Sequence, residues 1–241
     1  MSLGGRKDVK VPVGYVNNGS STDEIGVRAM IGEEEDILSN DNISFAKRID
    51  AMVLNCIDKI GQVTDKAKIA EIYPELTIED QTTLLIQLRA MSISETLEYA
   101  MQCPECKKPI LFKLDLTSLK VTPGQAKESF LHEIQLPSGR KCKVKPMQIK
   151  DRQRIGQMET TGENFMSVSI WVRLVELDGK PNPTFQDVRG MMYGDRLALR
   201  AAFDRIEGSI ESEFNITCQA CGAKFDESLD IANPEFLLPK M

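Results

Sequence analysis

Two C-x2-C pairs are the residues of this sequence whose type and spacing best suit chemistry. Cys103 and Cys106 form the first pair, and Cys218 and Cys221 form the second. A pair in a tight turn holds two thiolates at the spacing that a tetrahedral ion requires, so each pair supplies half of a zinc-ribbon-like site. We therefore predict one structural Zn2+ held by all four thiolates, with no coordination position left for a substrate or water.

Redox-active dithiols and buried cysteines without a ligand are the alternatives to zinc. A redox pair of the thioredoxin type lies where a strand meets a helix, whereas strand-like sequence follows each pair here. Lys107, Lys108 and Lys224 follow the cysteines, and their charges would offset the double negative charge of a zinc tetrathiolate. These observations favour zinc.

The other residues that are able to do chemistry are predicted to be structural. Cys56 falls on the apolar face of a predicted helix and Cys142 lies in a predicted strand, as buried small hydrophobic residues do. His132, the single histidine, has no acid or nucleophile motif beside it, and the acidic residues 33–36 suit the first turn of a helix. Since no GxSxG, P-loop or HExxH motif occurs, we expect no enzyme.

Composition and charge disfavour several classes of protein. The 241 residues are 41% hydrophobic and 27% charged, which is enough for one large domain or two small ones. The net charge of -6 disfavours a general nucleic-acid-binding role. No apolar run reaches the roughly 18 residues of a membrane span, and residues 1–10 lack the apolar region of a signal peptide. We therefore expect synthesis in a cytosol, where structural disulfides are rare.

The elements that must position the cysteines occur twice in the sequence. When the sequence is shifted by 115 positions without a gap, Cys103 falls on Cys218, and apolar and turn positions around both pairs agree. Further upstream the offset becomes 117. The aligned positions include Asp80 with Asp195, Leu84 with Leu199, Val27 with Val144 and Met30 with Met147. We predict a tandem duplication, with repeat 1 at residues 11–118 and repeat 2 at residues 132–233; chance similarity around two zinc knuckles is the alternative.

A linker and two terminal segments complete the predicted organisation. Residues 1–10 are expected to form a flexible arm, and residues 119–131 a linker that turns at Pro123-Gly124. Residues 234–241 form a tail with two prolines and an apolar group for which the sequence shows no internal partner. That group comprises Phe236, Leu237 and Leu238. Docking on another subunit is one interpretation of this tail.

Each repeat is predicted to open with a hairpin and to continue with a helix. The hairpins turn at residues 17–20 in repeat 1 and at residues 137–139 in repeat 2, where Asn, Gly, Pro and Ser supply turn chemistry. The first helix covers residues 49–60 in repeat 1, where apolar residues follow the helical period. Its counterpart in repeat 2 covers residues 165–177.

A second helix and a knuckle between two strands are predicted to close each repeat. The second helix begins at Thr77 in repeat 1, with Asp80 completing a capping box. In repeat 2 it covers residues 195–206, and a short extra helix precedes it at residues 185–191. The predicted fold is therefore α+β, a duplicated hairpin, two-helix and zinc-knuckle unit whose two knuckles meet in one four-cysteine site.

Several short stretches of the chain resemble one family of proteins. Residues 27–30 (VRAM), 76–80 (LTIED), 84–89 (LLIQLR) and 103–106 (CPEC) resemble the baseplate hub and hub-assembly proteins, which are tail-assembly-chaperone-like, of T-even-type contractile-tailed phages. Residues 136–140 (LPSGR) resemble the openings of phage tail-assembly proteins. The resemblance implies a non-enzymatic structural or assembly component of a tail baseplate, in the virion or in the host cytoplasm during assembly. Its implied partners are other baseplate and tail proteins.

A nucleic-acid-binding zinc-ribbon protein is the alternative function. Such a ribbon should present a basic and aromatic face beside the metal. Acidic residues flank the cysteines instead, namely Glu105, Asp115, Asp226, Glu227 and Asp230. We expect neither a membrane nor a small-molecule substrate as a partner.

Overall fold

Antiparallel hairpins and short helices alternate along the chain, so the fold is of the mixed α+β class that the sequence predicts. The computed structural model describes residues 5–17, 20–160, 162–231 and 233–239. The amino-terminal half contains β1 (Arg6–Asn17), β2 (Ser20–Arg28), α1 (Gly32–Leu38), α2 (Phe45–Cys56), β3 (Ile57–Ile60), α3 (Lys66–Ile72), α4 (Ile78–Ser92), β4 (Thr96–Gln102) and β5 (Pro109–Asp115).

After β6 (Val121–Thr122), the carboxy-terminal half repeats much of this order. It contains β7 (His132–Gln135), β8 (Lys141–Val144), α5 (Asp151–Thr160), α6 (Phe165–Arg173), β9 (Leu174–Leu177), β10 (Lys180–Pro181), α7 (Phe185–Arg189), α8 (Tyr193–Glu207), β11 (Ser209–Ile210), β12 (Glu213–Thr217) and β13 (Lys224–Ser228). Short 3-10 turns cover Tyr73–Glu75, Gln125–Lys127 and Pro234–Phe236.

The strands form one sheet in each half and several smaller pairs. The amino-terminal sheet has the order β1-β2-β3, and the carboxy-terminal sheet has the order β10-β9-β8-β7. Hairpins β4–β5 and β12–β13 stand apart from these sheets, and β6 pairs with β11. The last pair ties the segment that follows the first half to the second half.

Both predicted opening hairpins are present, since β1 pairs with β2 and β7 pairs with β8. Asn18 and Gly19 of the first predicted turn lie outside the described residues. Strand β1 begins at Arg6, so part of the segment predicted as a flexible arm is paired with β2. Residues 1–4 of that arm lie outside the described part of the chain.

Helices α2 and α6, which correspond to the predicted first helix of each repeat, end earlier than predicted. The prediction for residues 49–60 is wrong beyond Cys56, and the prediction for residues 165–177 is wrong beyond Arg173. The last four residues of each range form β3 and β9, which pair with β2 and β8. Apolar residues three apart fit one face of a helix, but they also lie at the buried ends of these strands. Pairing with the sheet therefore overrides the helical pattern.

The two sheets share an irregular register. Val27 of β2 lies opposite Ile57, and Val144 of β8 lies opposite Leu174, so both members of the pair recur 117 positions later. The register shifts immediately before this pair in both sheets. A helix runs directly into the strand at the same point in each half.

The second helix of each half begins and ends near its predicted bounds. Thr77 caps α4, and its hydroxyl and the Asp80 carboxylate form the predicted capping box. Helix α8 extends the predicted range of 195–206 by two residues at its start and one at its end, and Gly208 follows it with a φ of 66°. Helices α4 and α8 both have 15 residues.

The carboxy-terminal tail packs on the core of the amino-terminal half. Phe236 and Leu237 are 4% and 2% exposed. The Nε of Arg89 donates to the carbonyl oxygen of Phe236 at 2.8 Å, and its guanidinium lies 5.3 Å from the centre of the Phe236 ring. The expectation that these apolar residues lack an internal partner is therefore wrong, because the partner comes from an element far away in the sequence.

The segment between the halves is packed as well. Ala126 is fully buried, and the Gly124 N–H donates to the carbonyl oxygen of Pro12 at 3.0 Å. The predicted linker therefore contributes to the contact between the halves. Among the described residues, no helix combines the length and the apolar character that crossing a membrane requires.

Candidate metal centre

The four predicted cysteine ligands come together where the tips of two hairpins meet. Hairpin β4–β5 carries Cys103 and Cys106, and hairpin β12–β13 carries Cys218 and Cys221. The sulfur atoms of Cys103 and Cys221 lie 3.7 Å apart, and those of Cys106 and Cys218 lie 3.8 Å apart. All four sulfur atoms lie within 4.8 Å of one another.

These separations fit a tetrahedral ion with thiolate ligands. A Zn–S bond of about 2.3 Å in a tetrahedron places neighbouring sulfur atoms about 3.8 Å apart. Cys103 and Cys218 are buried, Cys106 is partly buried and Cys221 is exposed. The cluster could therefore hold a metal ion at the surface, with the first cysteine of each pair anchored in the fold.

Matching backbone hydrogen bonds shape the two knuckles. The Cys103 N–H donates to the carbonyl oxygen of Lys108 at 2.9 Å, and the Cys218 N–H donates to that of Ala223 at 2.8 Å. In each knuckle the residue four positions after the first cysteine donates back to that cysteine's carbonyl oxygen, at 3.0 and 2.8 Å. Both knuckles therefore turn in the same way.

The residue at the turn has a positive φ in both knuckles. Lys107 has a φ of 58° and Gly222 has a φ of 75°. Glycine adopts this conformation without steric cost, whereas a lysine pays a penalty. The second knuckle therefore forms the turn without steric strain at Gly222, whereas the first knuckle forms it with a steric cost at Lys107.

Backbone amides favour the thiolate form of Cys218, the first cysteine of the second knuckle. The N–H groups of Ala220 and Cys221 donate to the sulfur of Cys218 and lower the pKa of its thiol to about 7. The thiolate is the form that binds a metal. Burial instead raises the pKa of Cys56 to about 12 and that of Cys142 to about 11, so these two cysteines stay protonated at neutral pH.

Apolar packing beneath the knuckles brings the hairpins together. Phe112 of β5 and Phe214 of β12 place their ring centres 6.0 Å apart. Leu97, Leu114 and Leu229, at the bases of the two hairpins, are buried in the same core. The sulfur atoms therefore meet because the hairpins that carry them share this core.

The surface around the cysteines does not have the features of a nucleic-acid interface. The acidic residues that flank the knuckles are exposed, namely Glu105, Asp115, Asp226, Glu227 and Asp230. Lys107, Lys108 and Lys224 are exposed among them. The surface is thus of mixed charge, whereas a zinc ribbon that binds nucleic acid needs a predominantly basic face.

Two buried aspartates bind the opening hairpin of each half to a helix that lies far along the chain. Asp80 accepts hydrogen bonds from the backbone N–H groups of Val13 and Gly14 at 2.9 and 3.1 Å, in addition to its capping bonds. Asp195 accepts from the N–H of Ser138 at 3.0 Å. The alignment of the two aspartates was visible in the sequence, but their bonds to the opening hairpins were not, because those partners are distant along the chain.

Comparison with protein-family models matches residues 9–170 to the family described as T4 bacteriophage base plate protein. This range is more than half of the chain and contains Cys103 and Cys106, whereas Cys218 and Cys221 lie beyond it. Comparisons with curated proteins and with solved structures found no match.

Proposed function

The chain belongs to the family of T4 bacteriophage base plate proteins, and from this premise we propose that it is a non-enzymatic structural or assembly component of the baseplate hub region. Its proposed partners are other baseplate and tail proteins. It acts in the tail of the virion or in the host cytoplasm during assembly. The family match carries this proposal, and it agrees with the resemblance that the sequence stretches suggest.

One structural Zn2+, held by Cys103, Cys106, Cys218 and Cys221, is part of the same proposal. Its main support is the meeting of four sulfur atoms from hairpins that lie 115 positions apart in the sequence. A two-stranded hairpin is marginally stable by itself. The metal would therefore hold two weak hairpins to each other and fix the angle between the halves that carry them. Four thiolates saturate the ion, so it would act in structure and not in catalysis.

We further infer that the halves are two copies of one duplicated unit. The aspartates at the start of α4 and α8 support this inference. Asp80 and Asp195 lie 115 positions apart, and each accepts a backbone N–H from the hairpin that opens its own half, at 2.9 Å from Val13 and 3.0 Å from Ser138. The donors do not align, since Val13 lies within β1 and Ser138 lies in the turn between β7 and β8. A shared ancestor explains why an aspartate at the same helix position binds the opening hairpin in both halves.

An ion pair at the start of the first helical segment supports the duplication independently. Arg28 pairs with Glu34 in the amino-terminal half, and Lys145 pairs with Asp151 in the carboxy-terminal half. Both members of the pair shift by 117 positions. Each carboxylate also accepts the backbone N–H of the residue three positions before it, at 2.8 and 3.0 Å.

A third recurring contact links the hairpin to the end of the second helix. The Met30 N–H donates to the Ser92 hydroxyl at 2.8 Å, and the Met147 N–H donates to the Glu207 carboxylate at 2.7 Å. The donor shifts by 117 positions and the acceptor by 115, as in the sequence alignment. The role of the acceptor is thus retained although its residue type differs.

Metal content and phage assembly test the proposal together. We expect one zinc per chain by elemental mass spectrometry of protein purified under reducing conditions. A phage that carries Cys218→Ser in place of the parent chain should form few complete tails, whereas one that carries Cys142→Ala should form them normally. Normal tail assembly with zinc-free protein would refute the zinc-dependent role, and normal assembly without the chain would refute the baseplate role.

A further inference from the structure

The two halves of the chain meet along a short contact that we call the internal seam, formed by residues 76–78 and 147–149. The Ile78 N–H donates to the carbonyl oxygen of Met147 at 3.1 Å, and the Ile149 N–H donates to that of Leu76 at 2.9 Å. Thr77 and Gln148 form an isolated antiparallel bridge at its centre. They are 0% and 2% exposed, so the seam is a closed interface.

Each half contributes one segment to the internal seam. The other half contains the aligned counterpart of that segment. By the offsets of 115 and 117, residues 191–193 correspond to residues 76–78, and residues 30–32 correspond to residues 147–149. Met191 is buried in the core of its own half and Met30 is half-buried, but the central residues of both counterparts are exposed. Ile31 is 59% exposed, Met192 is 68% exposed and Tyr193 is 70% exposed. The fold thus uses one seam and leaves the two edges of an equivalent seam open.

The open edges are apolar where the internal seam is polar. Ile31 takes the place of Gln148, and Met192 takes the place of Thr77. Phe165, Met166 and Leu197 enlarge the exposed apolar surface on α6 and α8, and Arg196 connects these helices through a hydrogen bond to Ser167. Several exposed large apolar side chains on two helices in contact favour an interaction site.

The charges around the two open edges are complementary. Beside the internal seam, Arg152 donates to Asp50 at 2.6 Å and to Gln81. At the open edges, Glu35 stands at the position of Arg152, and Arg196 stands at the position of Gln81. The positive charge of Arg152 is replaced by the negative charge of Glu35, and the neutral Gln81 is replaced by the positively charged Arg196. An equivalent contact would therefore again join opposite charges.

The acidic edge has a further charge of the same kind. Lys150 donates to Glu75 at 2.5 Å beside the internal seam. The counterpart of Lys150 at the open edge is Glu33. Arg200 lies 5.9 Å from the centre of the Tyr193 ring at the opposite open edge, and Arg189, which pairs with Glu163, precedes that edge by two positions. One edge is therefore acidic and the other basic, which favours an encounter between two molecules.

We propose that a second copy of this chain covers the open edges, with residues 191–193 of one copy packed against residues 30–32 of the next. The contact reproduces the internal seam between molecules and brings Glu35 of one copy to Arg196 of the other. Each copy carries both edges, so the contact either closes as a two-fold dimer with two reciprocal contacts or continues head-to-tail as a ring or an open row of copies. The proposal rests on the duplication inferred above and is independent of the zinc.

Sedimentation velocity of the full zinc-loaded chain over a concentration series at low ionic strength tests this contact. We expect the parent chain to associate as its concentration rises. Glu35→Arg and Arg196→Glu should each weaken association about tenfold or more, because each places like charges in the contact. Matched reversals at exposed sites away from the open edges, Glu71→Arg and Arg205→Glu, should leave association unchanged.

Mixing the two charge-reversed variants separates contact between molecules from contact within one chain. Glu35→Arg retains its basic edge and Arg196→Glu retains its acidic edge, so the mixture should associate although each variant alone does not. A parent chain that stays monomeric throughout the series would overturn the proposal. Association that survives both single reversals would also overturn it, because another surface would then be responsible.

Ile31→Ser tests the apolar part of the contact without weakening the fold. Ile31 is the N-cap of α1, a position that serine favours, so the variant should be at least as stable as the parent. Removing the exposed isoleucine should still weaken association about tenfold or more. Zinc content measured on the same samples should stay constant, so loss of the contact is distinguishable from failure of the zinc site.

Discussion

Helices α4 and α8 have the same length and the same place in their halves, yet their surroundings differ. Helix α4 buries apolar and polar side chains on nearly all sides, including Gln81, Gln87 and Arg89. Helix α8 buries a single apolar face and exposes Tyr193 and Leu197. The difference shows that α4 lies in the interior of the molecule, whereas α8 lies at its surface.

The enclosure of α4 comes from segments outside its own unit. The tail places Phe236 and Leu237 in the core of the amino-terminal half. Strand β11 of the other half contributes Ile210 to the same core, and the internal seam covers the start of α4. Helix α8 receives less cover of this kind, which is why its start remains exposed.

The proposed zinc site joins the hairpins that follow these two helices, so removing a ligand should have the largest effect. We expect Cys103→Ser to lose the metal and to lower the free energy of unfolding by about 5 kcal/mol or more. The carboxy-terminal half should be destabilised first. Hydrogen exchange should therefore show β12 and β13 losing protection before α4. Calorimetry measures the loss, and Cys142→Ala should keep both its zinc and its transition. An unchanged melting temperature in Cys103→Ser would contradict a structural role for the site.

Truncation of the tail's aromatic anchor should distinguish the enclosed helix from the open one. Phe236→Ala removes a buried ring and a contact with Arg89, so we expect a loss of about 3–5 kcal/mol in the free energy of unfolding. Leu197→Ala, on the exposed side of α8, should change it by less than about 0.5 kcal/mol. Urea denaturation of both variants measures the contrast. Similar effects at the two sites would show that the tail does not anchor the core.

We expect Glu79 of α4 to make the stability of the protein depend on pH. Burial, reinforced by the charges of Glu207 and Asp80, raises the pKa of Glu79 to about 7 in the folded chain. The folded state therefore holds a proton that the unfolded state has released, and stability falls as the pH rises from about 4.5 to about 7. Above this range the ionised carboxylate destabilises the fold.

Replacing Glu79 should accordingly stabilise the protein at alkaline pH. We expect Glu79→Gln to raise the free energy of unfolding at pH 8 by about 1–3 kcal/mol and to have little effect at pH 4. Glu71→Gln, an exposed change on α3, provides the control. Equal effects of Glu79→Gln at the two pH values would exclude the proposed ionisation. The counterpart of Glu79 in α8 is Gly194, so no equivalent effect is expected there.

The smallest predicted effect lies in α5, at the edge of the carboxy-terminal half. Gly156 is exposed within this helix, and a Cβ at its position would meet no neighbouring atom within 4 Å. We expect Gly156→Ala to raise the free energy of unfolding by about 0.5–1 kcal/mol, because alanine favours the helix. Thermal unfolding measures the shift. A lower melting temperature would mean that the glycine serves a contact that this chain alone does not display.

The sequence was sufficient to predict the features that depend on local chemistry. The four cysteines, the capping box at Thr77 and the acidic first turn of α1 all occur where their residue types indicate. Such signals act within a few residues, so the sequence displays them directly. The family resemblance was also correct, since the chain matches the T4 base plate family.

The features that the sequence did not reveal depend on contacts between distant segments. The helical pattern of residues 49–60 continues into β3, and only pairing with β2 decides where the helix ends. The burial of Phe236 depends on Arg89 and the surrounding core. The exposure of Ile31 and Met192 depends on which segments of the two halves pack against each other. These outcomes are decided by tertiary packing and not by local preference.

The placement of Phe236 and Leu237 also affects the order in which the molecule is built. These residues complete the core around α4, yet they are synthesised long after every other element of that half. On the ribosome the first half must therefore wait, with part of its core uncovered, until residues 236 and 237 have emerged. Contacts between segments so distant in sequence form slowly. The core around α4 is therefore complete only once the second half has been synthesised. Incomplete chains lack the packed surface that a complete chain would present to other subunits.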